Sequence, residues 1–148
     1  MERRPEHEAA TAEMALPALP DSIAPLVEFV VTHAREASFD DGRVVGIGLA
    51  TEEALLNIIR FACPKGTEEI RISCSFHDSG SLLVNIVDTG LPFNMLLSGT
   101  FSEIDDFFEP GKEPSTKVMK KEIKNIEYRR GTTVNTLVFT ISPIARHK

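Results

Sequence analysis

The sequence predicts an α+β fold: a two-layer sandwich in which a mixed, mostly antiparallel sheet carries helices on one face. Two apolar segments with period-two alternation, separated by the turn DSGS (78–81), indicate an antiparallel hairpin. Longer segments with apolar residues at helical spacing lie before and after that hairpin. Strands grouped as hairpins with helices between them are typical of α+β folds, and this order leaves room for a ligand between the two layers.

The first elements follow a polar N-terminal stretch. Residues 1–10 are polar and charged and are expected to form a loose tail, which leaves 11–148 as a single domain. Alternation over residues 12–16 predicts a short strand. After a proline-containing connection, Asp21 or Ser22 can cap the first helix.

A second helix is predicted from about residue 43 to residue 63, where Pro64 ends it. Two interior glycines, Gly46 and Gly48, would lower the stability of this helix. Close approach of another element is one reason for a helix to contain them.

The second half of the chain begins with the hairpin strands, residues 70–76 and 82–87. Residues 94–115 form a long irregular stretch, and loops of that length in compact domains are usually lids or binding loops. Ser115 or Thr116 can cap a further helix. The buried stripe of that helix would be Met119, Ile123 and Ile126, and a final strand would span residues 132–142.

The net charge is −6, and this charge argues against one class of function. An acidic chain repels phosphate backbones, so nucleic-acid binding is not expected, and the lysines near residue 120 indicate a solvated helix face.

The two cysteines, Cys63 and Cys74, belong to no metal-type cluster and indicate buried thiols in a reducing compartment. No apolar run reaches the length of a membrane span, and no signal peptide is predicted, so a cytoplasmic location without membrane attachment is expected.

The predicted second helix carries a carboxylate, Glu53, and an amide, Asn57, four residues apart on one face. An amide oxygen suits Mg²⁺, whose other ligands are commonly phosphate and water. A neighbouring carboxylate can accept a proton from an attacking hydroxyl. The alternative is a hydrogen bond between the two side chains on an exposed helix face.

A second candidate motif, DTGLPF, follows the predicted strand 82–87. Asp88 can accept hydrogen bonds from an amino group at the edge of the sheet, and Gly90 permits close approach of a flat ligand. Pro92 and Phe93 would form a rigid apolar wall. The alternative is an ordinary turn, since these residue types are common in turns.

The order EALLN, hairpin, DTGLPF, long loop, helix and GTTVNTLVF resembles the GHKL ATPase superfamily. Within that superfamily, the short chain and the DxGxPF form most resemble the bacterial anti-sigma-factor serine kinases. The resemblance covers about residues 12–142.

The resemblance implies ATP and Mg²⁺ as ligands and assigns roles to five residues. Glu53 matches the general base that activates a serine hydroxyl of a partner protein or a water molecule, and Asn57 matches the Mg²⁺ ligand. Asp88 matches the carboxylate that binds the adenine amino group, with Gly90 under the ring. Thr132 matches a threonine that helps to line the adenine pocket.

One family motif is altered in this sequence. The glycine-rich motif GxGL after the lid corresponds to GKEPSTKVM (111–119), where Glu113 and Ser115 occupy the glycine positions. A start of the helix at Ser115, Thr116 and Lys117 could still offer free amides and a positive charge to an anion. The alternative is a simple N-cap beside a surface lysine.

Three functions are compatible with these motifs. The first is a serine/threonine protein kinase that phosphorylates an anti-sigma antagonist, sequesters a sigma factor and can form a homodimer. The second is a degenerate binding module of the same fold with weak or no ATP binding, which the altered glycine motif and the acidic lid favour. The third, the catalytic domain of a histidine kinase, lacks support because His33 is the sole helical candidate for a phospho-acceptor.

Overall fold

The computed structural model describes residues 8–77, 79–97 and 114–143. Within these ranges, the order is strand, two α-helices, two strands, a third α-helix and two strands, which is an α+β arrangement. The strands are β1 (Glu8–Pro17), β2 (Glu69–His77), β3 (Leu82–Asp88), β4 (Asn125–Arg130) and β5 (Asn135–Ile141). The α-helices are α1 (Ile23–Glu36), α2 (Asp41–Asn57) and α3 (Lys117–Glu122), with a π-helical turn, Ile58–Ala62, directly after α2. Short 3₁₀ turns occur at Pro20–Ser22 and Met95–Leu97.

The five strands form one sheet in the order β1-β2-β3-β5-β4. All four pairings between the described strands are antiparallel. The fold class is as predicted, but the described sheet is entirely antiparallel, whereas a mixed, mostly antiparallel sheet was predicted. β1 starts at Glu8 and so includes the last three residues of the predicted tail, while residues 1–7 lie outside the described residues.

The core lies between one face of this sheet and the helices. Residues Leu82, Val84 and Ile86 of β3 are fully buried, and the residues between them are half-buried. The register places Ile86 opposite Ile72 of β2 and Leu137 of β5, so apolar rows cross the sheet on this face. Burial of such rows against amphipathic helices is the main favourable term in folding.

The two interior glycines of α2 lie where other helices pass closely, as their presence in a helix suggested. A Cβ on Gly48 would lie 2.9 Å from Val31 Cγ2 of α1. On Gly46, a Cβ would overlap the carboxylate of Glu122 of α3. Gly46 and Gly48 therefore let α1 and α3 pack on opposite flanks of α2.

The predicted helix after the long loop is shorter than the sequence pattern indicated. α3 ends at Glu122, and Asn125–Arg130 forms β4, paired with β5. The prediction that Ile126 belongs to a helical stripe is therefore wrong. Ile126 and Tyr128 alternate with the exposed Glu127 in a strand. This strand pairs with the outer edge of β5 and so satisfies the backbone hydrogen-bonding groups of that edge.

The longest described helix, α2, has 17 residues, and none of the helices in the described ranges combines the length and apolarity that a membrane span requires.

Candidate functional site

Asn57, the last residue of α2, is buried, with 3% of its surface exposed. Its Nδ2 donates to the backbone oxygen of Ser115 at 2.8 Å and to Met95 Sδ at 3.5 Å. Because both partners are acceptors, the orientation of the amide is fixed. No described residue donates to Oδ1, the atom that could coordinate a metal ion.

Glu53 lies one turn before Asn57 and is partly exposed. Its Oε1 accepts a hydrogen bond from the backbone N–H of Met119 at 2.8 Å, and its Oε2 accepts one from Ser115 Oγ at 2.9 Å. Glu53 and Asn57 thus both bind the segment Pro114–Met119, and the hydrogen bond between them that was the alternative reading is not formed. The helical spacing brings the two groups to one place, as predicted.

Glu53 also replaces the predicted cap of α3. The N-cap residue is Thr116, which is buried and makes no hydrogen bond from its side chain to the helix amides. Thr116 therefore occupies the predicted N-cap position, but its side chain does not make the capping hydrogen bond. The N–H of Met119 binds the carboxylate of another helix, which satisfies an end group that needs an acceptor.

Asp88 is the last residue of β3 and is 2% exposed. Its Oδ1 accepts hydrogen bonds from the backbone N–H of Gly90 at 2.8 Å and from Asn135 Nδ2 at 2.9 Å, and the Cys63 thiol lies 3.9 Å away. No described residue donates to Oδ2. Burial raises the pKa of Asp88, and the bonds from Asn135 and Gly90 and the charge of Arg130 oppose this shift.

Asn135 was not identified from the sequence, yet it has the most partners in this region. Its Nδ2 also donates to the backbone oxygen of Leu91 at 2.7 Å, and its Oδ1 accepts from Phe93 N at 3.2 Å and from the Tyr128 hydroxyl. Asn135 is 3% exposed. The sequence does contain an indication of its role, because Asn135 is the polar member of an otherwise apolar buried face of β5 that continues through Leu137.

Gly90 fits a close approach, but the approaching group is part of the protein. A Cβ at Gly90 would lie 2.3 Å from the backbone oxygen of Ala62 and 2.7 Å from Cys63 Sγ. The oxygen of Gly90 accepts a hydrogen bond from Arg130 Nη1 at 3.0 Å. Gly90 therefore allows the DTGLPF turn to pack on the end of the π-helical turn.

The apolar wall predicted from DTGLPF is formed by one of its two residues. The Phe93 ring stacks on Phe61, with centroids 5.5 Å apart and planes at 26°. Pro92 is exposed. The stacked pair lies next to the Asp88 region, since Phe93 N binds Asn135.

The predicted site residues thus form two groups. The first contains Glu53, Asn57 and Ser115, and the second contains Asp88 and Gly90 with the additional Asn135. Residues 93–95 connect them, because Phe93 N binds Asn135 while Met95 Sδ contacts Asn57.

Other predicted residues are not brought into either group by a described contact. Lys117 and Thr132 are exposed, and Thr132 lies in the connection between β4 and β5. Glu113 lies outside the described residues, as does most of the predicted lid. Within the described ranges, no group of three or more His, Cys, Asp or Glu residues could hold a metal ion. A metal here would have Asn57 as a single protein ligand, which fits Mg²⁺ held largely by phosphate and water.

The comparisons with known proteins agree with this architecture. The sequence model of the family described as the histidine kinase-like ATPase domain matches residues 16–141. A search of curated protein sequences finds no match.

Two solved structures share the fold. One, of the RsbU and RsbW domains of Rv1364c from Mycobacterium tuberculosis, superposes with a TM-score of 0.63 at 12% identity, covering 90% of this chain and 32% of that one. The other, the histidine kinase domain of the blue-light-activated histidine kinase EL346 from Erythrobacter litoralis, gives a TM-score of 0.51 at 14% identity, covering 86% and 61%. This chain thus spans less than two thirds of either, and at these identities the likeness concerns the fold alone.

Proposed function

Because the chain belongs to the histidine kinase-like ATPase domain family, we propose that it is an anti-sigma-type regulator that binds Mg-ATP. In this proposal it phosphorylates a serine or threonine of an anti-sigma antagonist and sequesters a sigma factor. The observation that carries the proposal is the orientation of Asn57. Both described hydrogen bonds of its amide use the nitrogen, so Oδ1 is the atom left for a metal ion.

At the adenine end of the proposed site, the two carboxylate oxygens of Asp88 also differ in their hydrogen-bond partners. The three described donors all bind Oδ1, which leaves Oδ2 for the amino group of a base. An ionised carboxylate accepts from an amino group and repels the carbonyl oxygen that guanine carries at the same position. The proposed site would therefore prefer adenine to guanine.

The chemistry would occur at the other group of residues. Asn57 would hold Mg²⁺, which when bound neutralises charge on the transferred phosphoryl group. Glu53, one helical turn away, would accept the proton of the attacking hydroxyl. Sigma factor and antagonist as partners follow from the family resemblance, and the fold shared with a structure whose domains are named RsbU and RsbW supports them.

A second function is a binding module that regulates its partner without catalysis. It is favoured by the two hydrogen bonds that already occupy the Glu53 carboxylate. The glutamate and serine at the glycine positions, Glu113 and Ser115, also favour it. In this case the fold would provide a partner-binding surface, and ATP would bind weakly or not at all.

Titration calorimetry with Mg-ADP, Mg-ATP and Mg-GDP separates the two functions. We expect saturable binding of both adenine nucleotides and much weaker binding of Mg-GDP. The variant Asp88→Asn should lose the preference for adenine, while Asp21→Asn, which changes an exposed carboxylate near α1, should retain it. A ligand that binds only the folded state at 100 times its Kd adds about 2.7 kcal/mol of stability. Absence of both heat and thermal stabilisation would leave the binding module as the function.

A further inference from the structure

The hydroxyl of Ser115 is hydrogen-bonded to the carboxylate of Glu53, the general base of the proposed function. Ser115 Oγ donates to Glu53 Oε2 at 2.9 Å, and Ser115 is exposed. We propose that Ser115 is an autophosphorylation site, which accepts the γ-phosphoryl group of Mg-ATP bound to the same chain. This inference rests on the proposed function, because it needs the nucleotide site and the base.

Two neighbouring contacts hold the hydroxyl and the base in place. The backbone N–H of Met119 donates to Glu53 Oε1 at 2.8 Å and so fixes the carboxylate on the side away from Ser115. Asn57 Nδ2 donates to the backbone oxygen of Ser115 at 2.8 Å and fixes the main chain that carries the hydroxyl. A nucleophile hydrogen-bonded to a base, with the base oriented by a third group, is the arrangement of an activated hydroxyl.

The proposed metal ligand lies next to the residue that carries the same hydroxyl. Asn57 is the proposed Mg²⁺ ligand, and Mg²⁺ in such sites binds phosphate oxygens. Ser115, whose backbone oxygen Asn57 binds, would therefore lie close to the phosphates of a bound nucleotide. The adjacent hydroxyl residue, Thr116, is buried with 4% exposure, so Ser115 is the accessible member of this pair.

The step is a transfer with ATP as its substrate. Ser115 Oγ forms a bond to the γ-phosphorus, and the bond from that phosphorus to the oxygen bridging to the β-phosphate breaks. The electron pair of that bond leaves with ADP, and the hydroxyl proton passes to Glu53. The products are phosphoserine at position 115, ADP and one proton, which Glu53 then releases to solvent.

Phosphoserine at position 115 would disrupt the contact with Glu53 that had positioned the serine hydroxyl. Phosphoserine carries a charge of about −1.5 to −2 at neutral pH, and a carboxylate next to it is repelled. The contact between Glu53 and Ser115 would be replaced by repulsion, and the cap that Glu53 gives to α3 would weaken. Phosphorylation would thus detach the start of α3 from α2 and block a second round at this site.

The test is incubation of the purified full chain with Mg-ATP, followed by mass-spectrometric mapping of phosphorylated residues. We expect up to one phosphate per chain at Ser115, with a rate per molecule that does not depend on protein concentration. Ser115→Ala and Glu53→Gln should abolish incorporation. Ser79→Ala, which removes another exposed serine hydroxyl bonded to a side chain, should not change it.

A conservative variant separates chemistry from structure. Ser115→Thr retains a hydroxyl, and we expect phosphothreonine at position 115, which a purely structural role for the serine would not produce. Thermal stabilisation of the wild-type chain by Mg-ADP is measured in parallel. Stabilisation without phosphate at Ser115, or with phosphate elsewhere, overturns this inference and leaves the proposed function standing. Absence of both stabilisation and phosphate overturns the proposed function, and a rate per molecule that rises with protein concentration overturns transfer within one chain.

Discussion

Asn135 lies directly opposite Asp88 in the pairing of β3 with β5 and donates its side-chain nitrogen to Asp88 Oδ1 at 2.9 Å. Both side chains are almost fully buried. A buried carboxylate is costly unless it is hydrogen-bonded. The final strand therefore stabilises the charged end of β3, and it also binds the turn that follows through Leu91 and Phe93.

Replacement of Asn135 by Ala should lower the free energy of unfolding. The change removes the side-chain donor to the Leu91 oxygen and one of the two amide donors to Asp88, and a buried polar group left without a partner costs about 1–3 kcal/mol. Urea unfolding monitored by circular dichroism measures the loss. Thr136→Ala is a matched control, because Thr136 is a half-buried neighbour on the opposite face of β5 and should cost less. Equal losses in the two variants would contradict the role given to Asn135.

The raised pKa of Asp88 predicts a pH dependence with a definite sign. Burial is the main cause of the shift above the ordinary value of 3.8. Because the folded state then binds the proton more tightly than the unfolded state, the stabilising contribution is full below 3.8 and is lost as pH rises through the folded value.

We expect the stability of the wild type relative to Asp88→Asn to fall as pH rises above that ordinary value, and then to level off. Urea unfolding at a series of pH values gives the difference. A difference that is constant over the whole range would show that the Asp88 pKa is the same in both states.

Gly90→Ala should destabilise the chain, and Gly42→Ala should not. A Cβ at Gly90 would lie 2.3 Å from the backbone oxygen of Ala62, so the main chain must move. Such overpacking typically costs about 1–3 kcal/mol. At Gly42, in the first turn of α2, the nearest atom is at 3.5 Å, and alanine is favoured over glycine in a helix by up to about 1 kcal/mol. Denaturant unfolding compares the two variants.

If Gly90→Ala left the free energy of unfolding unchanged, that result would contradict the close packing of the DTGLPF turn on Ala62. The same variant should also disturb the backbone N–H that Gly90 donates to Asp88. A weakened preference for adenine in this variant, measured by calorimetry, would connect the packing defect to the proposed binding site.

The two cysteine thiols should be unreactive in the folded chain. Burial raises the pKa of Cys63 to about 12, with a smaller effect from the Asp88 charge, and burial raises that of Cys74 to about 12 as well. Because the thiolate is the reactive form, a disulfide reagent at pH 8 should modify neither thiol quickly in native protein and both in urea. Rapid modification of Cys63 without denaturant would show that the region around it opens.

The extent of successful prediction differs between local and non-local features. Glu53 and Asn57 were placed together correctly because helical spacing fixes their relative position whatever surrounds them. β4 was missed because Ile126 also fits the end of a helical stripe, and only the free edge of β5 selects the strand. Thr132 was assigned from the family resemblance alone. Asn135 was missed because both faces of the last strand contain apolar residues, so the pattern did not reveal which face is buried.

The sequence by itself determined the α+β class, the positions of α1, α2 and the hairpin, and the two motifs around Glu53 and Asp88. These features depend on periodicity and on neighbours within a few residues. Only the tertiary structure decided that Asn135 binds Asp88 and that Glu53 holds Ser115 and caps α3. The partners in these three contacts are 47, 62 and 66 residues apart, and strand register and helix packing, which no local pattern encodes, bring them within hydrogen-bonding distance.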